Sequence, residues 1–211
     1  CQRGKKNTVN ALTFEYNREK NLLQLLADLE SRKYQISRHI YFIVTKPTPR
    51  EIFAADFRDR IVHHLLCSEI QNIFENNFIE NSYANRKGKG THKAVIQLRA
   101  NIQSTKRLYL GGVYYLKLDI ENFFRSIDQT LLFEMIEDTI NKSGFIGKEA
   151  KANGWKEEIL WLTEKIIFHD PTQNYIYRGD TKKKQLIPAH KSLFSGHKGK
   201  GLPIGNLTSQ F

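Results

Sequence analysis

The feature that most constrains this chain is the run Val113-Tyr114-Tyr115-Leu116-Lys117-Leu118, which stops at Asp119 and passes through Ile120-Glu121-Asn122 into Phe123-Phe124-Arg125-Ser126-Ile127-Asp128. β-Branched and aromatic residues suit a pleated, half-buried surface, so residues 113–118 read as a strand. Alternation then sets Val113, Tyr115, Lys117 and Asp119 on one face and gives Tyr114, Leu116 and Leu118 the buried one. An acid closing a buried strand is well placed to hold a metal ion, although a single strand-end Asp serves more commonly as a cap or turn residue.

Charge narrows the choice of partner. Across 211 residues, long enough to bury a real core, Lys and Arg exceed Asp and Glu by eleven, and the isoelectric point lies near 9.6. Such a balance says little about fold but favours a polyanion, with nucleic acid ahead of a membrane surface. From Tyr83 to Arg107 the chain carries Arg86, Lys87, Lys89, Lys93, Arg99, Lys106 and Arg107 and no acid. A surface of one sign repels itself unless phosphates neutralise it, with release of counterions, yet an ordinary solvated basic face has the same composition. Only Cys1 and Cys67 are present, Cys67 within an apolar helical pattern, which argues against a disulfide framework and for a reducing compartment. No apolar run reaches the length of a membrane span and residues 1–10 are too polar for a signal peptide, so a cytoplasmic protein with no membrane partner is expected.

Around the central run the periodicities predict a helix-rich frame. Residues 17–33 carry Leu22, Leu23, Leu25, Leu26 and Leu29 at helical spacing. Residues 41–44 and 51–54 flank Lys46-Pro47-Thr48-Pro49-Arg50, where two prolines exclude helix and favour a strand-loop-strand finger with a basic loop. Asp56 is placed to cap a helix with Phe57, Ile61, Leu65, Leu66, Ile70, Ile73 and Phe74 on one side, and Thr91 to cap the next. Asp128 is placed to cap a helix that runs from Gln129 to near Gly144, and residues 155–168 form another. Residues 169–201 are polar and irregular and read as a flexible hairpin or loop; the spacing of His169, His190 and His197 matches no usual zinc pair. Gly199, Gly201 and Gly205 around Pro203 mark backbone that passes close to something.

In this order the pieces resemble the fingers and early palm of a reverse transcriptase of the bacterial group II intron-like branch. The stretch from Asp119 to Asp128 resembles the first catalytic motif of that family; Ser82-Tyr83-Ala84-Asn85-Arg86 with Gly88, Gly90 and His92 its second fingers motif; and Arg58-Asp59-Arg60-Ile61-Val62 its Arg-Asp-Arg helix. The resemblance implies an α/β (α+β) fold, helix-rich with a small antiparallel sheet. It divides the chain into an N-terminal helical extension (1–40), fingers (41–112) and a partial palm (113–211) with an insertion around 169–200.

The activity implied is RNA-directed DNA synthesis from an RNA template, a DNA or RNA primer and deoxynucleoside triphosphates. Two Mg2+ ions would act in the complete enzyme, with Asp119 supplying a carboxylate and Ile120 its backbone carbonyl. Phe124, or Phe123 if the turn is offset by one, would lie under the incoming sugar. Arg86 and Arg50, with Lys46 as a weaker candidate, would hold the triphosphate, since a guanidinium fork suits phosphate oxygens. Gly205 would let the backbone approach the new base pair. Lys87, Lys89, Lys93 and Arg99 would meet nucleic acid, as would Arg58 and Arg60 unless they pair with Asp56 or Asp59 for structure alone.

Departures from the group II pattern refine the expectation. Ile204-Gly205 and Ser209-Gln210 stand where those enzymes usually have Gln-Gly and Ser-Pro. This is similar to the reverse transcriptases of diversity-generating retroelements, as is Lys191-Ser192-Leu193-Phe194. That likeness implies a bacterial or phage gene, a template-repeat RNA copied with errors at adenines, and a small basic accessory protein. Ile204 cannot hydrogen-bond as an amide would, so it and Gln210 become fidelity and template candidates. The Tyr-x-Asp-Asp hairpin of the family does not occur in these residues, nor does a thumb, and the chain alone is expected to be inactive. The alternatives are a group II intron reverse transcriptase or maturase and a non-catalytic RNA-binding scaffold.

Overall fold

The structure, a computed structural model, describes residues 8–108, 112–143 and 154–203. Two short helices, α1 (Val9–Tyr16) and α2 (Arg18–Glu30), lead into strands β1 (His39–Val44) and β2 (Arg50–Ala54), followed by α3 (Phe57–Glu75) and α4 (Thr91–Leu108). Then come the short turn of helix α5 (Phe123–Ser126), α6 (Gln129–Lys142), α7 (Trp155–Ile167) and β3 (Tyr175–Tyr177), and after β3 three 3-10 turns between Thr181 and Ser195. The helix-rich α+β class is the expected one.

Helix α3 is the axis of the core. Its Val62, Leu66 and Ile70 are completely buried among Leu25 of α2, Ile136 and Ile140 of α6, and Ile159, Leu162, Ile166 and Ile167 of α7. Each large apolar side chain so buried contributes roughly 1.5–3 kcal/mol relative to exposure. The helices start where expected: the Asp56 carboxylate accepts from Arg58 N, and that of Asp128 from Thr130 N and Leu131 N. Thr91 is the first residue of α4 rather than the cap before it.

Arg58 and Asp59 tie the start of α3 to the chain ahead of the sheet. Asp59 is fully buried and accepts from Tyr34 Oη at 2.8 Å and Ser37 N at 2.9 Å. Burial raises its carboxyl above the usual range, opposed by those two donors. Arg58 donates to Asp28 Oδ2 at 2.6 Å and to the Gln35 carbonyl, and lies over the Tyr34 ring. Arg60 donates to the Ala55 carbonyl. Both arginines therefore serve the fold.

The sheet has order β2-β1-β3 and is mixed, which corrects the expectation of an antiparallel one. Strands β1 and β2 form the expected hairpin, with Tyr41 opposite Phe53 and Ile43 opposite Glu51. Strand β3 lies parallel to β1 because the chain returns to it only after the helices, a connection long enough for a crossover. Tyr41, buried in the centre, stacks on Phe53 at 4.7 Å and meets Tyr175, Tyr177 and Phe194 by edges or at a tilt. Residues 169–203 are therefore no loose insertion: they give the sheet its third strand and cover its inner face.

The central run departs from expectation most. Residues 113–118 form no strand, and Tyr114, Leu116 and Leu118 are 94%, 82% and 80% exposed. A strand is stable only when a neighbour takes its N–H and C=O groups, and among the described residues nothing pairs with this one.

Candidate functional site

A cavity of about 490 Å3 lies between the hairpin, α5 and the chain after β3. Small-molecule pockets span roughly 300–1,000 Å3. Its first wall is the hairpin turn and the start of β2, including Arg50 and Glu51; its second is Asn122 to Arg125; its third is formed by Leu186 to Pro188, Lys191 and Leu193, with Leu202. Asn122, at φ 53, has the left-handed conformation that Asn tolerates better than most residues and turns the chain abruptly into α5. Phe123 and Phe124 consequently stand edge to face, with ring centres 5.3 Å apart, and both line the cavity.

The second wall is sewn to the glycine-rich end of the described chain. Leu202 N donates to the Phe124 carbonyl at 2.7 Å, and Gly201 N to that of Ile127 at 2.8 Å. Gly201 has φ +91, and a Cβ added there would lie 3.1 Å from Leu193 Cδ2 and 3.4 Å from the Arg125 carbonyl oxygen. Here the close approach suggested by the glycines is real.

The third wall is held by a buried acid. Glu51 is 6% exposed; its Oε1 accepts from Ser192 Oγ at 2.6 Å and from Tyr41 Oη at 3.3 Å, and its Oε2 from Leu193 N at 2.8 Å. A carboxylate taken out of water needs such donors. Burial and the neighbouring Glu51 both hold the Tyr41 phenol above its ordinary range. From the opposite side, Arg125 donates to the carbonyls of Ala189 and His190.

Of the residues singled out by sequence, Arg50, Phe123 and Phe124 meet in this cavity. Arg50 is exposed, and its Nε makes one long bond to Thr48 Oγ1, at 3.4 Å. Arg86 does not line the cavity. It is nearly buried, donating to Glu75 Oε1 at 2.7 Å and to the Ile79 and Ser82 carbonyls, over the Phe78 ring. There it organises the loop between α3 and α4. Lys89 pairs with Glu80 at 2.9 Å. Lys46, Lys87, Lys93 and Arg99 are exposed, the last two on α4, a helix without one buried residue. Ile204, Gly205 and Gln210 lie outside the described residues.

Asp119 and Ile120 are exposed and do not line the cavity. No three His, Cys, Asp or Glu side chains among the described residues are grouped to hold a metal ion. Magnesium takes near-octahedral oxygen ligation, so one carboxylate and one carbonyl do not fit it unaided. No described helix is long and apolar enough to cross a membrane.

Sequence reasoning missed Glu51, Arg125 and Lys191 as parts of this site. Glu51 could have been found, since alternation along β2 puts it on the same face as Phe53, an acid where an apolar side chain belongs.

No family model matches the chain. Over 111 residues, 53% of the chain, it is 22% identical to the Arabidopsis thaliana protein described as "Nuclear intron maturase 1, mitochondrial". The match covers 14% of that protein's length.

Proposed function

We propose that the chain forms the fingers and opening palm of an RNA-directed DNA polymerase, and that the cavity receives the incoming deoxynucleoside triphosphate. The observation that supports this reading is the convergence of Arg50 with Phe123 and Phe124, from segments far apart in sequence, on one cavity. Arg50 offers a fork for the polyphosphate, and the two rings offer a flat apolar surface to the sugar. In this reading either ring would crowd a 2′-hydroxyl, so both stay in the assignment.

The two-ion chemistry of polymerases would require ligands beyond Asp119 and Ile120, supplied from outside the described residues. The test is primer extension on an RNA template by the full-length protein with magnesium. Asp119→Ala is expected to abolish extension, and Arg50→Ala to raise KM for the nucleotide about tenfold, the worth of one charge-assisted contact. Extension by Asp119→Ala equal to that of the parent would refute the assignment.

Within this class, the Ile204-Gly205 and Ser209-Gln210 pattern supports an enzyme of a diversity-generating retroelement, with a template-repeat RNA and an accessory protein. The Arabidopsis similarity favours a second reading, an intron reverse transcriptase or maturase. Substituting Gln for Ile204 and sequencing the product separates them. A fall in adenine errors fits the first, and unchanged fidelity the second.

A further inference from the structure

The third wall of the cavity belongs to a stretch that composition marks as a loop, yet it is fastened at two points. Glu51 reaches from β2 and accepts from Ser192 Oγ and Leu193 N. Ser192 Oγ in turn accepts from Phe194 N and caps the following turn. From α5, Arg125 grips the carbonyls of Ala189 and His190. Between these ties stands Lys191, exposed and lining the same cavity as Arg50. A lysine ammonium on its four-carbon stem is ordinarily free to wander; here the backbone is fixed on both sides, by a carboxylate and by a guanidinium.

We propose that Lys191 is a second polyphosphate-binding residue of the cavity, and that Glu51 is the positioning residue that holds it in the cavity that Arg50 also lines. The inference rests on the nucleotide reading of the site and deepens it. Glu51 touches no phosphate; a buried carboxylate facing one would repel it. Its effect passes through Ser192 and Leu193. Two cations lining one cavity favour a ligand with several adjacent phosphates over a monophosphate, which carries less charge to meet them.

The experiment measures binding of dATP and dAMP to the full-length protein, with inorganic tripolyphosphate as competitor. Lys191→Ala is expected to weaken dATP binding about tenfold, the lower end for a hydrogen bond to a charged group, and dAMP binding hardly at all, while Lys191→Arg restores it. Glu51→Gln, which keeps the shape but turns an amide N–H toward donors, is expected to give the same loss of dATP over dAMP preference. The double variant is expected to be no worse than Lys191→Ala alone.

If Glu51→Gln does not fold, Ser192→Ala removes one of the two ties and is expected to lose about threefold for dATP. Hydrogen exchange at the Leu193 amide should accelerate in either variant. Equal weakening of dATP and dAMP in Glu51→Gln, additive losses in the double variant, or an unchanged preference in Ser192→Ala would overturn the inference while leaving the nucleotide site standing. A parent protein that binds neither dATP nor tripolyphosphate would overturn both.

Discussion

Residues 169–203 and residues 113–120 make an instructive pair. The first stretch is polar, broken by Pro171, Gly179 and Pro188, and free of long regular structure, yet it supplies β3, a wall of the cavity and the buried Leu202. The second is apolar and β-prone, yet its side chains face solvent, with Tyr115 86% and Ile120 66% exposed. What separates them is the supply of partners. The polar stretch finds the β1 edge, the Glu51 carboxylate and the aromatic face around Tyr41, whereas the apolar one finds no ladder among the described residues. Composition states what a segment is able to bury; its neighbours decide whether it does.

The comparison can be attacked with substitutions of graded effect, each read by urea denaturation of the chain. The largest effect is expected at the base of the fastened stretch. Tyr41→Ala removes a ring packed against Phe53, Tyr175, Tyr177 and Phe194 and should cost ~3–5 kcal/mol. A loss below about 1 kcal/mol would show that the stretch is not seated on the sheet.

Next comes acid. His169, which opens the stretch, stacks on His39 with ring centres 5.0 Å apart, and both rings keep a buried nitrogen without a hydrogen-bond partner among the described residues. Burial, reinforced by neighbouring histidines, pushes His39 and His63 down to about 4; Asp56 and Asp170 pull weakly the other way on His39 and His169, and Arg60 adds to the depression at His63. The unfolded chain, with ordinary histidines near 6.5, then binds more protons than the folded one between pH 6.5 and 4. Stability is full above that window and falls as pH drops through it, by up to ~3 kcal/mol per ring. Urea midpoints at pH 7 and pH 4.5 measure the loss, and His39→Gln should reduce it. A midpoint independent of pH would contradict the buried neutral stack.

Smaller again is the join between α6 and the fastened stretch, where Asp128 caps α6 and pairs its backbone with that of Lys200 in an isolated β-bridge. Asp128→Ala should cost ~1 kcal/mol, as the loss of a helix cap does. Smallest is Leu116→Ala, expected to change stability by less than ~0.5 kcal/mol because so little of the side chain is covered. A cost above about 1 kcal/mol there would mean that residues 113–120 are packed after all, and the contrast would dissolve.

Local physics made much of this molecule legible. Helix periodicity gave α3, α6 and α7 nearly to the residue, Asp56 and Asp128 declared their caps, and two closely spaced prolines marked the hairpin. Pairing over distance was hidden. The pattern at residues 113–118 shows a chain competent to join a sheet but not whether a neighbour is there, and nothing local to residues 175–177 reveals that they run beside β1. Of the residues lining the cavity, Arg50 was singled out from the basic loop of the hairpin and the two phenylalanines from the stretch that starts at Asp119. Arg86 belonged to a motif too, but its fork is taken up by Glu75 and loop carbonyls, a competition visible only once α3 is seen to end beside that loop. Glu51 and Lys191 stayed hidden because the contact that gives them meaning joins β2 to a segment near the other end of the chain.

The crossing at Gly201 bears on which sequences this architecture tolerates. A single methyl group there would act as a wedge, prising the Leu193 side chain from the backbone of Arg125, and would have to hold an unfavourable positive φ while doing so. Two residues earlier, at Gly199, the same methyl would meet nothing within 4 Å, so only the backbone angle resists it. Homologous chains that keep this junction should therefore be strict at the inner glycine and more forgiving, toward Asn for example, at the outer one.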